Sequence, residues 1–196
     1  MDFKKLYKKK SWSDYVIFSS VIALGIILDQ LTKWLAVKFL MPVGTVSLIK
    51  IPECTIFNKL IPETQVLNLT YVENTGAAFG MLKDSPWVFN TVSTIAILVM
   101  IAYLYLGHTD TKLSGIALAM LISGGIGNMI DRVALHYVVD FIDFRLINFA
   151  VFNGADSFVC IGAGLLILAL VREMMKESKA QKAKLTASQE NTEADE

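Results

Sequence analysis

Two short stretches of the sequence carry the same pair of polar residues at the same spacing. GGIGNMIDR places Asn128 three residues before Asp131, and FNGADS places Asn153 three residues before Asp156. Residues three apart share a face of a helix, so each asparagine could orient the aspartate that follows it. The repeated spacing predicts two carboxylates, each accompanied by an amide.

Two carboxylates close together in a region of low dielectric cannot easily both ionise. One keeps a proton, because the like charge and the loss of solvent raise its pKa. Such a pair supplies a general base that activates water and a general acid that protonates the carbonyl oxygen or the leaving amine. The predicted chemistry is aspartic peptide hydrolysis, which needs neither a metal nor a covalent intermediate. The alternative for Asp156 is structural, as the N-terminal cap of a helix.

The segments that must hold these residues are strongly apolar. Of the 196 residues, 54% are hydrophobic and 18% are charged, and the mean hydropathy is +0.52. This balance favours a membrane protein over a soluble domain. Cys54 and Cys160 have no CxxC spacing, and His108 and His136 are the only histidines. The sequence therefore offers few residues for a disulfide framework, a cysteine metal site or histidine-based catalysis.

Four apolar segments approach the length of about 20 residues that a helix needs to cross a bilayer. We predict a mainly α-helical membrane protein with four transmembrane helices, at about 15–40, 87–106, 113–130 and 149–171. The first segment starts like a secretory signal, but no small-residue cleavage site follows, so we expect a retained span. Residues 1–175 would then form one membrane domain, followed by a polar cytoplasmic tail at 176–196.

The distribution of basic residues predicts the orientation of these spans. Five lysines lie in the first ten residues, and five lysines or arginines lie between residues 172 and 184. Both termini are therefore expected in the cytoplasm, which an even number of spans satisfies. The connections 41–86 and 131–150 would lie on the outer side. Arg132 and Arg145 in the second connection are in mild conflict with the rule that basic residues are enriched on the cytoplasmic side.

The first outer connection is long enough to form structure of its own. Residues 66–74, VLNLTYVEN, alternate apolar and polar side chains and are rich in β-forming residues. We therefore predict a small extracytoplasmic β-sheet between the first and second helices, within residues 41–86.

Five motifs follow one another along the chain: DQLTK (Asp29 to Lys33), NTGAAFG (Asn74 to Gly80), GGIGNMIDR (Gly124 to Arg132), VVDFIDF (Val138 to Phe144) and FNGADS (Phe152 to Ser157). Together with four spans and cytoplasmic termini, this order resembles the bacterial lipoprotein signal peptidases, also called signal peptidase II. The resemblance covers the chain from the first span to the fourth. The segment at 47–64 and the charged tail exceed what the family needs.

The resemblance implies an aspartyl endopeptidase of the bacterial inner membrane. Its substrates would be prolipoproteins, cut just before a cysteine that carries diacylglycerol. By motif, Asp131 and Asp156 would be the catalytic pair, while Asn128 and Asn153 would hold that pair and contact the substrate backbone. We expect prolipoproteins and membrane lipid as partners, no nucleic acid, no metal or other cofactor, and a monomer.

Other motif residues are expected around the pair. Arg132 would help to position the substrate near the scissile bond. Asn74 and Gly76, with Ala77 and Phe79, would belong to the outer sheet that cradles the substrate.

Four further charged residues leave alternatives open. Asp29 and Lys33 form an i, i+4 pair on the first span, either as a structural ion pair or as a group that shapes the site. Asp140 and Asp143 are either supports of the site or polar anchors of an interfacial segment. We favour Asp140 for the site, because it matches the VVDF pattern of the family.

Two other functions compete with the peptidase. The first is a metal-dependent lipid transferase in which Asp131, Asp140, Asp143 and Asp156 bind magnesium or manganese. The second is a proton-coupled transporter, but acidic relays usually run through the depth of the membrane. Here Asp131 and Asp156 are expected at one face, so the peptidase is the better prediction.

Overall fold

The structure, a computed structural model, describes residues 10–56, 59–61, 63–76, 86–106 and 111–194. Four predicted features lie wholly or partly outside these residues: the first nine residues with most of the N-terminal lysines, Ala77 and Phe79, the connection at 107–112 between the second and third predicted spans, and the last two residues of the tail.

Four α-helices form the bulk of the molecule: α1, Trp12–Phe39; α2, Pro86–Tyr105; α3, Lys112–Ala134; and α4, Gly154–Ala194. By length and composition, α1, α3 and the part of α4 from Gly154 to Lys182 could each cross a membrane. The described part of α2 is apolar over a shorter stretch, Asn90–Tyr105. The predicted mainly α-helical membrane fold is confirmed.

The helix ends differ from the prediction where the site lies. Helix α3 continues four residues beyond residue 130, so Asp131 and Arg132 belong to its last turn. Helix α4 begins at Gly154 rather than near residue 149, because Phe152 pairs with Ile142 in a β-bridge that keeps the preceding chain extended. Beyond the apolar stretch, α4 remains helical to Ala194.

The predicted sheet is present, but one of its strands comes from an unexpected part of the chain. Its antiparallel order is β1 (Thr45–Ile51), β4 (Thr64–Asn74), β5 (Val138–Asp143), with β4 in the centre. A separate hairpin joins β2 (Cys54–Ile56) to β3 (Lys59–Ile61), within the extra segment of the first connection. Strand β5 lies between α3 and α4, so the sheet ties the connection between α1 and α2 to the connection between α3 and α4.

Helix α3 packs against the other three helices, and small residues allow the close approach. A Cβ on Gly124 would lie 2.3 Å from the carbonyl oxygen of Ala155 in α4. A Cβ on Gly127 would lie 2.5 Å from Oδ2 of Asp29 in α1. Ser123 is fully buried as well, so Ser123 and Gly127 both serve close helix packing.

Candidate active site

The start of α4 is fixed by a reciprocal pair of hydrogen bonds. Asn153 precedes the first helical residue, and its Oδ1 accepts from the backbone N–H of Asp156 at 3.0 Å. In return, Asp156 Oδ2 accepts from the backbone N–H of Asn153 at 3.2 Å. This is a capping box, in which one carboxylate oxygen stabilises the helix terminus. The other oxygen of Asp156 points to a different partner.

That partner is Asn128 on α3. Its Nδ2 donates to Asp156 Oδ1 at 2.7 Å. The prediction that each asparagine orients the aspartate on its own helix is therefore wrong for Asn128, which reaches across to α4. Its Oδ1 accepts from Lys33 Nζ at 2.9 Å and from Asn153 Nδ2 at 3.0 Å. With both partners donating to Oδ1, the amide can face Asp156 only with its N–H group.

Asp140, near the middle of β5, lies in the same network. Its Oδ1 accepts from Asn153 Nδ2 at 2.7 Å, and its Oδ2 accepts from Asn74 Nδ2 at 2.9 Å. Only 2% of the residue is exposed. Burial raises the pKa of Asp140 to about 6, and the nearby charge of Asp156 adds to this, against the lowering effect of the amides and of Lys33.

Asp131 has a different environment, because a lysine lies against it. Lys33 Nζ is 3.0 Å from Asp131 Oδ2, and the same oxygen accepts from the backbone N–H of Val139 at 3.1 Å. Oδ1 accepts from Gln30 Nε2 at 2.9 Å. The carboxylate thus links α1, α3 and β5, and its three donors occupy both oxygens.

Asp29 and Lys33 form the predicted i, i+4 ion pair on α1, at 2.8 Å and almost fully buried. Asp29 Oδ1 also accepts from the backbone N–H of Ala155 at 2.8 Å, which fixes the first turn of α4 against α1. Lys33 therefore contacts Asp29, Asp131 and Asn128 together. The sequence left open whether this pair is structural or shapes the site. It does both, since it is an ion pair within the helix bundle and also contacts residues of the site.

Arg132 and Asn74 complete the group. Arg132 Nη1 donates to the backbone oxygen of Asn128 at 3.4 Å, and the side chain is attracted by Asp156, Asp140 and Asp131. Asn74 Oδ1 accepts from the backbone N–H of Gly76 at 3.0 Å, which closes a tight turn at the end of β4. Ten of the residues singled out from the sequence are thus connected through hydrogen bonds, ion pairs or direct electrostatic attraction: Asp29, Lys33, Asn74, Gly76, Asn128, Asp131, Arg132, Asp140, Asn153 and Asp156.

Gln30 is a residue that the sequence reasoning missed. Its Nε2 bridges Asp29 Oδ2, the backbone oxygen of Gly127 and Asp131 Oδ1 at 3.3, 3.1 and 2.9 Å. The signal was its position inside the DQLTK motif, beside Asp29. Asp143 lies outside the network and pairs instead with Arg145 at 2.7 Å and Thr70 at 2.8 Å. Within the part of the chain that the structure describes, no three His, Cys, Asp or Glu side chains converge as metal ligands would.

The chain is similar to known proteins over most of its length. A family model described as signal peptidase (SPase) II matches residues 21–172. A lipoprotein signal peptidase from Caldanaerobacter subterraneus subsp. tengcongensis is 44% identical over 146 residues, which cover 74% of this chain and 90% of the relative. One from Clostridium tetani is 39% identical over 156 residues, covering 78% of this chain and 91% of the relative.

Two solved structures share the fold. Both are described as bacterial membrane enzymes determined by the in meso method, and each is 29% identical to this chain. One superimposes with a TM-score of 0.66 over 86% of this chain and 93% of its own. The other has a TM-score of 0.56 over 84% of this chain and 96% of its own.

Proposed function

This chain belongs to the signal peptidase II family, a family of aspartyl peptidases that remove signal peptides from lipoproteins, and we propose that its catalytic pair is Asp140 and Asp156. The observation that carries this assignment is the position of Asn153. Its side-chain amide donates to Asp140 and its backbone amide to Asp156, so one residue holds both carboxylates.

This pair differs from the one predicted by motif, which joined Asp131 to Asp156. Asp131 forms an ion pair with Lys33 and has donors on both oxygens, so we infer that it is poorly suited to exchange protons with a substrate. Asp140 accepts only from neutral amides, and its pKa of about 6 lies close to neutral pH. A group of this kind fits acid–base catalysis, so we assign Asp131 to holding α1, α3 and β5 together.

The proposed mechanism uses one proton on the pair. In the substrate complex Asp140 carries that proton, and Asp156 takes a proton from water as the water oxygen attacks the scissile carbonyl carbon. Asp140 gives its proton to the carbonyl oxygen, which leaves a tetrahedral gem-diol. When the C–N bond breaks, the leaving amine takes the proton from Asp156 and a hydroxyl proton returns to Asp140. Bound substrate excludes water and favours the neutral form of Asp140 further.

The residues around the pair have proposed substrate roles. Asn74 and Gly76 stand where β4 ends beside Asp140, a position from which an extended substrate backbone can be bound. Arg132 lies at the same end of α3 as the pair and is attracted by both carboxylates. Asn128 and Asn153 hold the carboxylates, and Asp29 and Lys33 hold Asn128 and α4 in turn.

The proposed substrate is a prolipoprotein whose cysteine already carries diacylglycerol. The lipid and the signal helix both lie in the bilayer, so together they hold the scissile bond at the membrane surface. Holding a substrate bond beside the catalytic groups can supply much of the rate enhancement of an enzyme. We propose that a monomer in the bacterial inner membrane performs this reaction. Residues 1–175 form the peptidase domain and residues 176–196 a cytoplasmic tail. Both termini lie in the cytoplasm, and the catalytic pair lies at the outer face of the membrane. The basic residues at both ends of the chain support this orientation.

Cleavage of a diacylglyceryl-modified prolipoprotein in detergent with EDTA present tests the proposal. Wild type should cut it, Asp140→Asn and Asp156→Asn should not, and the precursor without lipid should be cut poorly. Activity that disappears with EDTA and returns with magnesium would instead favour the metal-dependent transferase class. Equal cleavage of both precursors would contradict the role of the lipid.

A further inference from the structure

A groove between α2 and α3 opens beside the site and has no role in the chemistry above. Its volume is about 400 Å³, and its lining is Thr94, Ile97, Leu98, Ile126, Met129, Ile130, Val133 and Ala134. Ile97 is buried at its floor, whereas Leu98 and Val133 are exposed at its rim. The hydroxyl of Thr94 donates to the backbone oxygen of Asn90 at 2.7 Å, so the lining offers no free donor.

Helix α3 lines the groove and also carries three residues that surround the proposed catalytic pair. Asn128, Asp131 and Arg132 occupy one side of its last two turns, and Met129, Ile130 and Val133 occupy the adjoining side. Between residues 126 and 134 the groove follows α3 for roughly 12 Å, at 1.5 Å per residue. It therefore runs from the level of the carboxylates toward the middle of the bilayer.

The size of the groove limits what can occupy it. A signal helix about 10 Å wide that crosses a hydrocarbon layer of about 30 Å has a volume on the order of 2,000 Å³. That is several times the volume of the groove, whereas a single acyl chain is thin enough to lie along it. An apolar lining inside the membrane also excludes a polar occupant, because no hydrogen-bond partner is offered.

We propose that this groove binds an acyl chain of the diacylglyceryl group on the substrate cysteine. The inference rests on the proposed function, since the modified cysteine adjoins the scissile bond. The acyl chains of the substrate must then extend into the bilayer from a point next to Asp140 and Asp156, and the groove starts at that level. Binding the chain here places the bond to be cut against the pair and makes cleavage depend on acyl length.

The test compares synthetic lipopeptides that carry either palmitoyl or hexanoyl chains on the glyceryl-cysteine. In wild type, kcat/KM should be about tenfold higher for the palmitoyl substrate, since the shorter chain makes fewer packing contacts with the groove lining. Leu98→Trp, which fills the rim, should reduce this ratio about tenfold by raising KM for the palmitoyl substrate, while cleavage of the hexanoyl substrate stays unchanged.

Val99→Trp is the matched control, because Leu98 and Val99 are adjacent on α2 and are 60% and 61% exposed, but only Leu98 lines the groove. Leu98→Ala, which removes contacts without adding bulk, should lower the ratio in the same direction and guards against misfolding of the tryptophan variant. An unchanged ratio in both Leu98 variants, or a loss equal for both substrates, would overturn the proposal and leave ordinary bilayer lipid as the occupant. No cleavage of either substrate by wild type would instead overturn the proposed function.

Discussion

Asn153 Nδ2 donates to Asp140 Oδ1 at 2.7 Å, and this contact joins strand β5 to the first turn of α4. Because Asn153 also forms the capping box with Asp156, the geometry of the proposed pair depends on where α4 starts. A helix beginning at residue 149, as the apolar run alone predicts, would leave no capping residue between the two carboxylates. The proposed pair therefore depends on the β-bridge that delays the start of α4.

The first prediction is that only one of the two aspartates of β5, Asp140, takes part in catalysis. Asp140→Asn should lower kcat by at least about 1,000-fold, because it removes the proton that the proposed mechanism transfers to the carbonyl oxygen. Asp143→Asn is the matched control, since Asp143 is equally buried on the same strand but pairs with Arg145 and Thr70. Kinetics on the lipidated precursor should show the loss in the first variant only. Similar activities in the two variants would remove Asp140 from the pair.

The second prediction concerns Asp131, which we assign to structure. Asp131→Asn leaves Lys33 with one carboxylate, Asp29, and should lower the free energy of unfolding by about 2 kcal/mol. This is less than the ~3–5 kcal/mol expected when a buried charge loses its only partner. Thermal unfolding in detergent should show this, while more than about 1% of the wild-type kcat remains. Complete loss of activity at unchanged stability would restore the pair predicted by motif, Asp131 with Asp156.

The sequence was informative about the helices and the motif residues, and less so about which residues meet. The apolar segments predicted four spanning helices, and all four segments are helical, although the described part of α2 is apolar over a shorter stretch than the other three. The alternation in residues 66–74 predicted β4. Strand β5 was missed because VVDFID is buried over most of its length and shows no alternation. Its identity as a strand depends on pairing with β4, about 70 residues away.

The symmetry of the two Asn-x-x-Asp motifs was also misleading. The spacing is the same, but Lys33 comes from α1 and neutralises only one of the two aspartates. Long-range contacts of this kind cannot be inferred from spacing within α3 or α4. They explain why these ten predicted residues do come together, while the catalytic pair that we propose differs from the one predicted by motif.

The third prediction follows from the raised pKa of Asp140. Below pH 4 the carboxyl is neutral in both the folded and the unfolded chain. Between about pH 4 and 6 the unfolded chain ionises, with a pKa near 3.8, while the folded protein keeps its proton, so stability falls as the pH rises through this range. Above pH 6 both forms are ionised and the penalty stays constant.

Asp140→Asn removes this penalty, so its stability relative to wild type should improve as the pH rises. The unfolding temperature of the variant minus that of wild type should become more positive by a few degrees between pH 4.5 and 7.5. Comparing the two proteins at each pH cancels any constant cost of the asparagine. A difference that stays flat with pH would mean that Asp140 ionises as readily in the folded protein as in the unfolded chain.

The fourth prediction tests whether Asn128 is a positioning residue. Its amide donates to Asp156, and its orientation is fixed by Lys33 and Asn153. Asn128→Leu should lower kcat by about 10- to 100-fold, the equivalent of one hydrogen bond to a charged group, with a smaller change in KM. A merely structural role would lower stability and leave the kcat of the folded fraction intact. Kinetics corrected for the folded fraction distinguish the two outcomes.

The last prediction uses two adjacent glycines of α3 that face different neighbours. A Cβ on Gly124 would meet the backbone oxygen of Ala155 at 2.3 Å, so Gly124→Ala must push the first turn of α4 away. A Cβ on Gly125 would meet only the side chain of Ile97, at 3.1 Å, which can shift. Gly124→Ala should therefore cost about 3 kcal/mol of stability, whereas Gly125→Ala should be nearly neutral, since the gain in helix propensity offsets the contact.

The same displacement should reach the active site, because Asn153 and Asp156 lie on either side of Ala155. Gly124→Ala should lose activity at temperatures where it is still folded, and Gly125→Ala should keep it. Thermal unfolding together with cleavage of the lipidated precursor measures both effects. If Gly124→Ala were as stable and as active as Gly125→Ala, close packing of α3 on α4 could not be what holds Asp156 in place for catalysis.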